Sequence, residues 1–221
     1  IEAFDGEGQA YYFDVYEAPE QAILLVGLDA QKDMHAGLEV LNETLVAEGM
    51  QEMQEARAGL QVAKLNYIRL NDDMEPWLLG DAEIYALVNG IAPTAEKANV
   101  IANELPYLDK DHKDYCPNQV LIIWDNYRFK AANINFYEHD DNTNYKEIAA
   151  FLVDQIGKVA GEYKYIFEIA SQIIKLMPDK WFSNDDDYVD VFYTLENKAY
   201  TNHTGASGNA KITLVPYTIQ E

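Results

Sequence analysis

Apolar positions fall into distinct periods along the chain. Residues 10 to 16 (Ala-Tyr-Tyr-Phe-Asp-Val-Tyr) and 22 to 28 (Ala-Ile-Leu-Leu-Val-Gly-Leu) predict two strands, separated by the turn-like Glu17-Ala18-Pro19-Glu20. Leu38, Leu41, Leu45 and Val46 then recur at helical spacing, so 32 to 48 predicts a helix stopping at Gly49. An apolar run over 60 to 70 completes a small β-β-α-β unit, expected to be the tail of an upstream domain.

From about residue 68 the texture changes to strands punctuated by acid-rich loops, and a domain boundary is expected there. Ile68 to Leu70 enters the first such loop and Ala82 to Val88 leaves it. Val120-Leu121-Ile122-Ile123-Trp124 is apolar on both faces, the pattern of a central sandwich strand. In the next strand Ile134, Phe136 and Glu138 share one face, and Asn133, Asn135 and Tyr137 the other. After Asn144 the period switches to steps of three and four through Ile148, Leu152, Ile156, Val159, Tyr163, Ile166, Ala170, Ile173 and Met177. This predicts one helix, or two broken near Gly157 and Gly161, with Asn144 and Glu147 forming a capping-box-like start and Pro178 the end. Strands return at 188 to 195 and 210 to 216, the last preceded by the turn Gly205-Ala206-Ser207-Gly208-Asn209. The expected architecture is α+β and mainly β: a small α/β segment over 1–67, then an antiparallel sandwich over 68–221 with a helical insertion at 145–177.

Composition narrows the function. The 221 residues are 48% hydrophobic and 12% aromatic, enough for one good core. A net charge of -22, with only 16 Lys and Arg scattered along the chain, argues against nucleic acid, which needs basic side chains gathered on phosphates. The lone Cys116 excludes an internal disulfide and a cysteine-based zinc site. No apolar run is long enough to cross a bilayer, so the chain is expected to be soluble. It opens on Ile1-Glu2-Ala3-Phe4 without Met, charged leader or apolar segment, as expected of a trimmed chain or fragment.

The chemistry lies in four acidic clusters at strand ends: 71–75, 80–83, 138–142 and 184–187. Crowded carboxylates repel one another unless a cation intervenes, and calcium takes six to eight oxygens in flexible geometry. The spacing of Glu138 and Asp140 aims both at a common point, with Asp141, Asn142 and Asn144 adding oxygens. Asp72, Asp73 and Asp81 would supply a facing loop. Asp187 is a further candidate, although three consecutive acids cannot all face one ion. The plainer reading is that Asp and Asn at turns make local hydrogen bonds and stay solvated. No His-Glu-x-x-His and no Gly-x-Ser-x-Gly occurs among His35, His112, His139, His203 and the serines. A hydrolase using two carboxylates of an acidic cleft, as in glycoside or peptide hydrolysis, stays open, since sequence cannot select the pair.

The order of an acidic loop, Gly80-Asp81-Ala82-Glu83-Ile84-Tyr85, and a strand ending in Tyr137-Glu138-His139-Asp140-Asp141 resembles the calcium-binding loops of C2-like domains, eight-stranded sandwiches that bind calcium at one apex. Asp73 and Asp81 match the two aspartates of the family's first loop, and Glu138 with Asp140 matches its later Asp-x-Asp pair in conservative form. Glu138 stands for the usual Asp, no acid follows Asp140 at the third-ligand distance, and a helical segment interrupts the sandwich. These departures imply weak affinity or a single site. The chain also resembles, over most of its length, an uncharacterised family of secreted bacterial proteins, including the stretch Asp187-Tyr188-Val189-Asp190-Val191-Phe192-Tyr193. Together the resemblances imply a secreted or periplasmic calcium-binding module, structural or ligand-binding, rather than an enzyme. Membrane docking, the common role of C2-like domains, would rest on Trp77-Leu78-Leu79 alone.

Overall fold

The computed structural model describes residues 2–14, 19–20, 22–24, 29–51, 58–75, 81–94, 97–139, 144–157, 166–176 and 188–220. A short hairpin, β1 (Glu2–Phe4) and β2 (Ala10–Tyr12), is followed by helix α1 (Ala30–Ala47). Strands β3 (Gln61–Leu70), β4 (Ile84–Ile91), β5 (Ala98–Glu104), β6 (Gln119–Ile123) and β7 (Ala131–Glu138) come next. Helix α2 (Tyr145–Phe151), extended by a π-helical turn over Leu152–Gly157, and helix α3 (Ile166–Leu176) precede β8 (Tyr188–Glu196), β9 (Tyr200–Thr204) and β10 (Ala210–Thr218).

Eight strands form two antiparallel four-stranded sheets in the orders β6-β3-β10-β9 and β5-β4-β7-β8. The first core lies between them: Leu65 and Ile68 of β3 and Ile212 and Leu214 of β10 meet Ile84, Ala86 and Val88 of β4 and Ile134 and Phe136 of β7. The opposite face of the β5-β4-β7-β8 sheet carries a second core, in which Tyr85, Leu87, Val100 and Tyr137 pack under Leu38, Leu41 and Leu45 of α1, Ile148 of α2 and Ile169 and Ile173 of α3. The molecule is therefore an α+β sandwich with three layers: open sheet, covered sheet, helices.

The sequence accounts for much of this. Asp29 caps α1, its carboxylate accepting from the Lys32 amide at 3.2 Å. Gly49, at φ 68°, ends it, with the Met50 amide donating to Leu45 O at 2.8 Å and the Gly49 amide to Val46 O at 3.0 Å. Asn144 caps α2 as expected, accepting from the Glu147 amide at 3.3 Å. The faces of β7 divide as its alternation predicts, Ile134 and Phe136 into the first core and Tyr137 into the second.

Three expectations need correction. The predicted strand over 10–16 shrinks to Ala10–Tyr12, and Ala22–Leu24 forms none; residues 15–18 and 25–28 lie outside the described ones. Tyr12 is 78% and Leu24 89% exposed, so these apolar side chains have no core to reward an extended ladder. The doubly apolar run 120–124 is an edge strand, not a central one. Val62 pairs with Ile123, Ala63 with Ile122, and Lys64 with Val120, leaving Leu121 as an extra residue; this bulge lets the consecutive Leu121 and Ile122 both enter the first core. Strands β5 and β9 were not anticipated. The boundary drawn near residue 68 lies within β3, which pairs with β10 along Gln61–Leu70.

Candidate functional site

Strand register gathers the acidic loops. Leu70 at the end of β3 pairs with Ala210 at the start of β10, Ile84 with Glu138, Tyr85 with Glu104, and Tyr137 with Tyr188. The β3–β4, β5–β6 and β9–β10 connections and the segment after β7 thus leave from one end of the sandwich. Cross-loop bonds confirm the gathering: the His112 amide donates to Leu70 O at 2.8 Å, the Asp111 amide to Asp73 Oδ2 at 3.0 Å, and the His139 amide to Glu83 O at 2.9 Å.

At this end a recess of ≈ 270 Å³ is lined by Gln31, Asp81, Ala82, Glu83, Pro106 and Asp109. The side chain of Gln31, in the first turn of α1, donates to Pro106 O at 3.2 Å and ties the helix to the β5–β6 loop at the rim. Two ammonium groups face the acids, Lys110 Nζ at 3.4 Å from Asp81 and Lys113 Nζ at 3.3 Å from Asp109. Burial pushes the Asp109 carboxyl up, but hydrogen bonds from the Tyr115 hydroxyl and Lys113 outweigh it and hold the group below its ordinary value.

The expected ligands take different places. Asp81 opens on the recess. Glu138 is 3% exposed at the end of β7, beside Ile84. Asp72 serves its own loop: its carboxylate accepts from the Met74 amide at 3.0 Å, while its backbone exchanges two hydrogen bonds with the Asn209 side chain, at 2.8 and 2.9 Å. Both Asp73 oxygens accept from amides, Glu75 at 3.3 Å and Asp111 at 3.0 Å, and burial raises this carboxyl above its ordinary value. Asn144 is the cap of α2. Asp140, Asp141 and Asp187, with Trp77-Leu78-Leu79, lie outside the described residues. Among the described residues, no three His, Cys, Asp or Glu side chains converge in a group that could hold a metal ion.

Sequence reasoning missed Glu83 and Asp109 as partners of Asp81 in the recess, and Asp111 as the amide that fixes Asp73. The signal for the last two was the alternating run Asp109-Lys110-Asp111-His112-Lys113-Asp114, which reads as a solvated loop until β5 and β6 bring it opposite the β3–β4 loop. His139 follows β7 and belongs to no sequence motif. Its side chain is buried, with Nδ1 2.9 Å from the Tyr145 hydroxyl, Nε2 3.4 Å from Asp33 Oδ2, and its ring stacked on Tyr145. It joins the end of β7 to α1 and α2.

One buried carboxylate frames this end. Asp190, fully buried in β8, accepts from the amides of Val191 at 2.7 Å, Ser207 at 2.9 Å and Ala210 at 2.7 Å. Its place requires Gly205, where an added Cβ would lie 2.3 Å from the Asp190 carboxyl. The turn 205–209 of the open sheet is thereby clamped to an edge strand of the covered one.

A protein-family model described as "Protein of unknown function (DUF3103)" matches residues 1–221. No curated protein and no solved structure matches the chain. No helix among the described residues is long and apolar enough to cross a membrane.

Proposed function

The chain thus belongs to the DUF3103 family, and from its own geometry we propose that it is a binding module whose acidic end takes up calcium and uses it to hold the apical loops. The observation behind this reading is that two separate loops bring Asp81, Glu83 and Asp109 to one recess, at the end where Glu138 also lies. Hard oxygen donors suit calcium, and water completes its shell where protein ligands are few. Asp72 and Asp73 accept hydrogen bonds from loop amides, so the reading rests on Asp81, Glu83 and Asp109 at the recess, with Glu138 at the same end and Asp140 and Asp141 following β7 in sequence.

With few protein ligands the expected affinity is weak, on the order of the 10⁻⁴–10⁻³ M of extracellular modules. A site of that strength fills only where calcium is millimolar, which favours a secreted or periplasmic protein. The rival hydrolase needs a carboxyl that stays protonated near neutrality; Asp109 is held below its ordinary value, whereas burial raises Asp73, whose oxygens are taken by loop amides.

Calorimetry and thermal unfolding test the reading. Calcium at tenfold its dissociation constant stabilises by about 1.4 kcal/mol, or roughly 3–5 °C for a chain of this size. Magnesium should do less, and the double change Asp81→Asn, Glu83→Gln should remove the effect. A melting curve indifferent to millimolar calcium would sink the proposal. Turnover of oligosaccharide or peptide substrates persisting in chelator would favour the hydrolase instead.

A further inference from the structure

The outer face of the open sheet departs from the charge of the rest of the chain. On β3 and β10 the residues of the first core alternate with Lys64, Tyr67, Arg69, Lys211, Val215 and Tyr217, so these six share the side away from it. Asn66 is the extra residue of a bulge, which keeps that division intact from Lys64 to Arg69. Register sets Lys211 opposite Arg69 and Val215 opposite Lys64.

In a chain of net charge -22 three cations gather here. Of Lys64, Arg69 and Lys211, only Arg69 has an ion-pair partner among the described residues, Asp114 at 3.0 Å. Beside them lies an apolar strip. Val215 is 40% and Tyr217 41% exposed, and Val120 of β6, opposite Lys64, continues the strip half-buried.

The β1–β2 hairpin has the complementary character. Phe4 is 65% and Tyr12 78% exposed. Glu2 pairs with Tyr12 and Phe4 with Ala10, which puts Glu2, Phe4 and Tyr12 on one face, and the Tyr12 hydroxyl donates to Glu2 at 3.0 Å. Its turn carries Asp5 and Glu7, and no Lys, Arg or His precedes Lys32 in the chain. Asp5 shapes that turn, its carboxylate accepting from the Glu7 and Gln9 amides, both at 2.9 Å. A hairpin with strands of three residues is marginal in water until a surface packs against it.

We propose that the outer face of the open sheet receives the β1–β2 hairpin of a second copy of this chain. Phe4 and Tyr12 lie on Val215 and Tyr217, Glu2 is set toward Lys64, and the acidic turn toward Arg69 and Lys211. Helix α1, which follows the hairpin, packs on the far side of the covered sheet, so within one molecule both sheets stand between α1 and this face. Between two molecules the exchange is reciprocal and closes as a two-fold dimer. Repulsion between two acidic chains is screened beyond about 8 Å at physiological salt, which leaves the charges in contact to decide. Calcium at the acidic end takes no part.

Sedimentation velocity in chelator, from micromolar to submillimolar protein, tests the proposal. The chain should pass from monomer to dimer and go no further. Lys64→Glu with Lys211→Glu should raise the dimer dissociation constant at least about tenfold, and adding Glu2→Lys and Glu7→Lys should recover most of the loss, with unchanged melting of the dilute monomer. Cys116 is an exposed reporter beside Tyr67 on the same face. Oxidised Gln9→Cys protein should therefore form a disulfide to Cys116 between chains, and Cys116→Ala should prevent it. A monomer at every concentration, a dimer indifferent to the charge reversal, or a disulfide to Cys116 within one chain would overturn the assignment, and none of these outcomes touches the calcium proposal.

Discussion

In the open sheet β10 buries Ala210, Ile212 and Leu214 and leaves Val215 and Tyr217 exposed, whereas every residue of β4 and β7 in the covered sheet is buried. The open sheet therefore keeps much of one face toward water. The covered sheet must satisfy everything on both faces, including the fully buried Asn89, Asn99, Asn133 and Asn135. Asn89 Nδ2 donates to Asn135 Oδ1 at 2.8 Å, Asn133 Nδ2 to Asn89 Oδ1 at 2.9 Å, and the Thr194 amide to Asn133 Oδ1 at 2.9 Å. A polar ladder under a helical layer holds only when its members find partners, since an unpaired buried amide costs about 1–3 kcal/mol.

The sharpest break between the sheets should come from truncating one aromatic in each. Phe136→Ala, which removes a buried ring packed edge-to-face on Phe192, should cost about 3–5 kcal/mol by urea denaturation. Tyr217→Ala should stay within roughly 0.5 kcal/mol of the parent. Equal losses would abolish the distinction.

Asp190 tests how the sheets are joined. Asp190→Ala leaves three amide donors without their acceptor and should cost about 3 kcal/mol. Asp190→Asn should recover only part, because one of its two positions becomes a donor facing an amide. Recovery to the parent stability would mean that the clamp needs only one oxygen.

The helical cover can be lifted at Gly37, where an added Cβ would lie 2.0 Å from the Tyr145 ring. Gly37→Ala should cost about 1–3 kcal/mol and increase binding of an apolar dye by uncovering the second core. Stability without dye binding would show that α1 and α2 can separate without exposing the sheet.

The smallest effect is expected at the rim of the cover, where His35 of α1 bonds Glu104 of β5. The hydrogen bond and charge of Glu104 raise the imidazole pKa above its ordinary 6.5. Because the folded value is the higher one, this contribution is fully present below pH 6.5 and is lost as pH rises through the raised pKa. An NMR titration should show the elevation, and Glu104→Gln should abolish most of it. An unchanged midpoint in that variant would remove the pair as a tie between α1 and the sheet.

The sequence displayed the helices and the inner strands of both sheets better than the edge strands β5 and β9. α1, β3, β7, α2 and β10 announce themselves through period, caps or turns. β5 does not, because Ala98-Asn99-Val100-Ile101-Ala102-Asn103-Glu104 mixes small residues and amides of low strand propensity; its cover by α1 and α2 is a tertiary fact. β9, Tyr-Thr-Asn-His-Thr, is polar and mostly exposed, and exists because β10 offers an edge. At the acidic end, charge density was legible, but the division of labour was not. Whether an aspartate faces a recess, as Asp81 does, or its own loop amides, as Asp72 and Asp73 do, depends on which loop stands opposite.

The close approach at Gly37 also bears on how the chain can be cut. With α1 pressed against the helix that follows β7, Met34, Leu38, Leu41, Leu45 and Met50 supply one wall of a core built otherwise by the chain after β3. A piece beginning at β3 would expose Tyr85, Leu87 and Val100 along with the inner side of α2, an adhesive surface that recruits other copies of itself. Expression boundaries drawn where the acidic loops begin would thus manufacture an aggregating fragment.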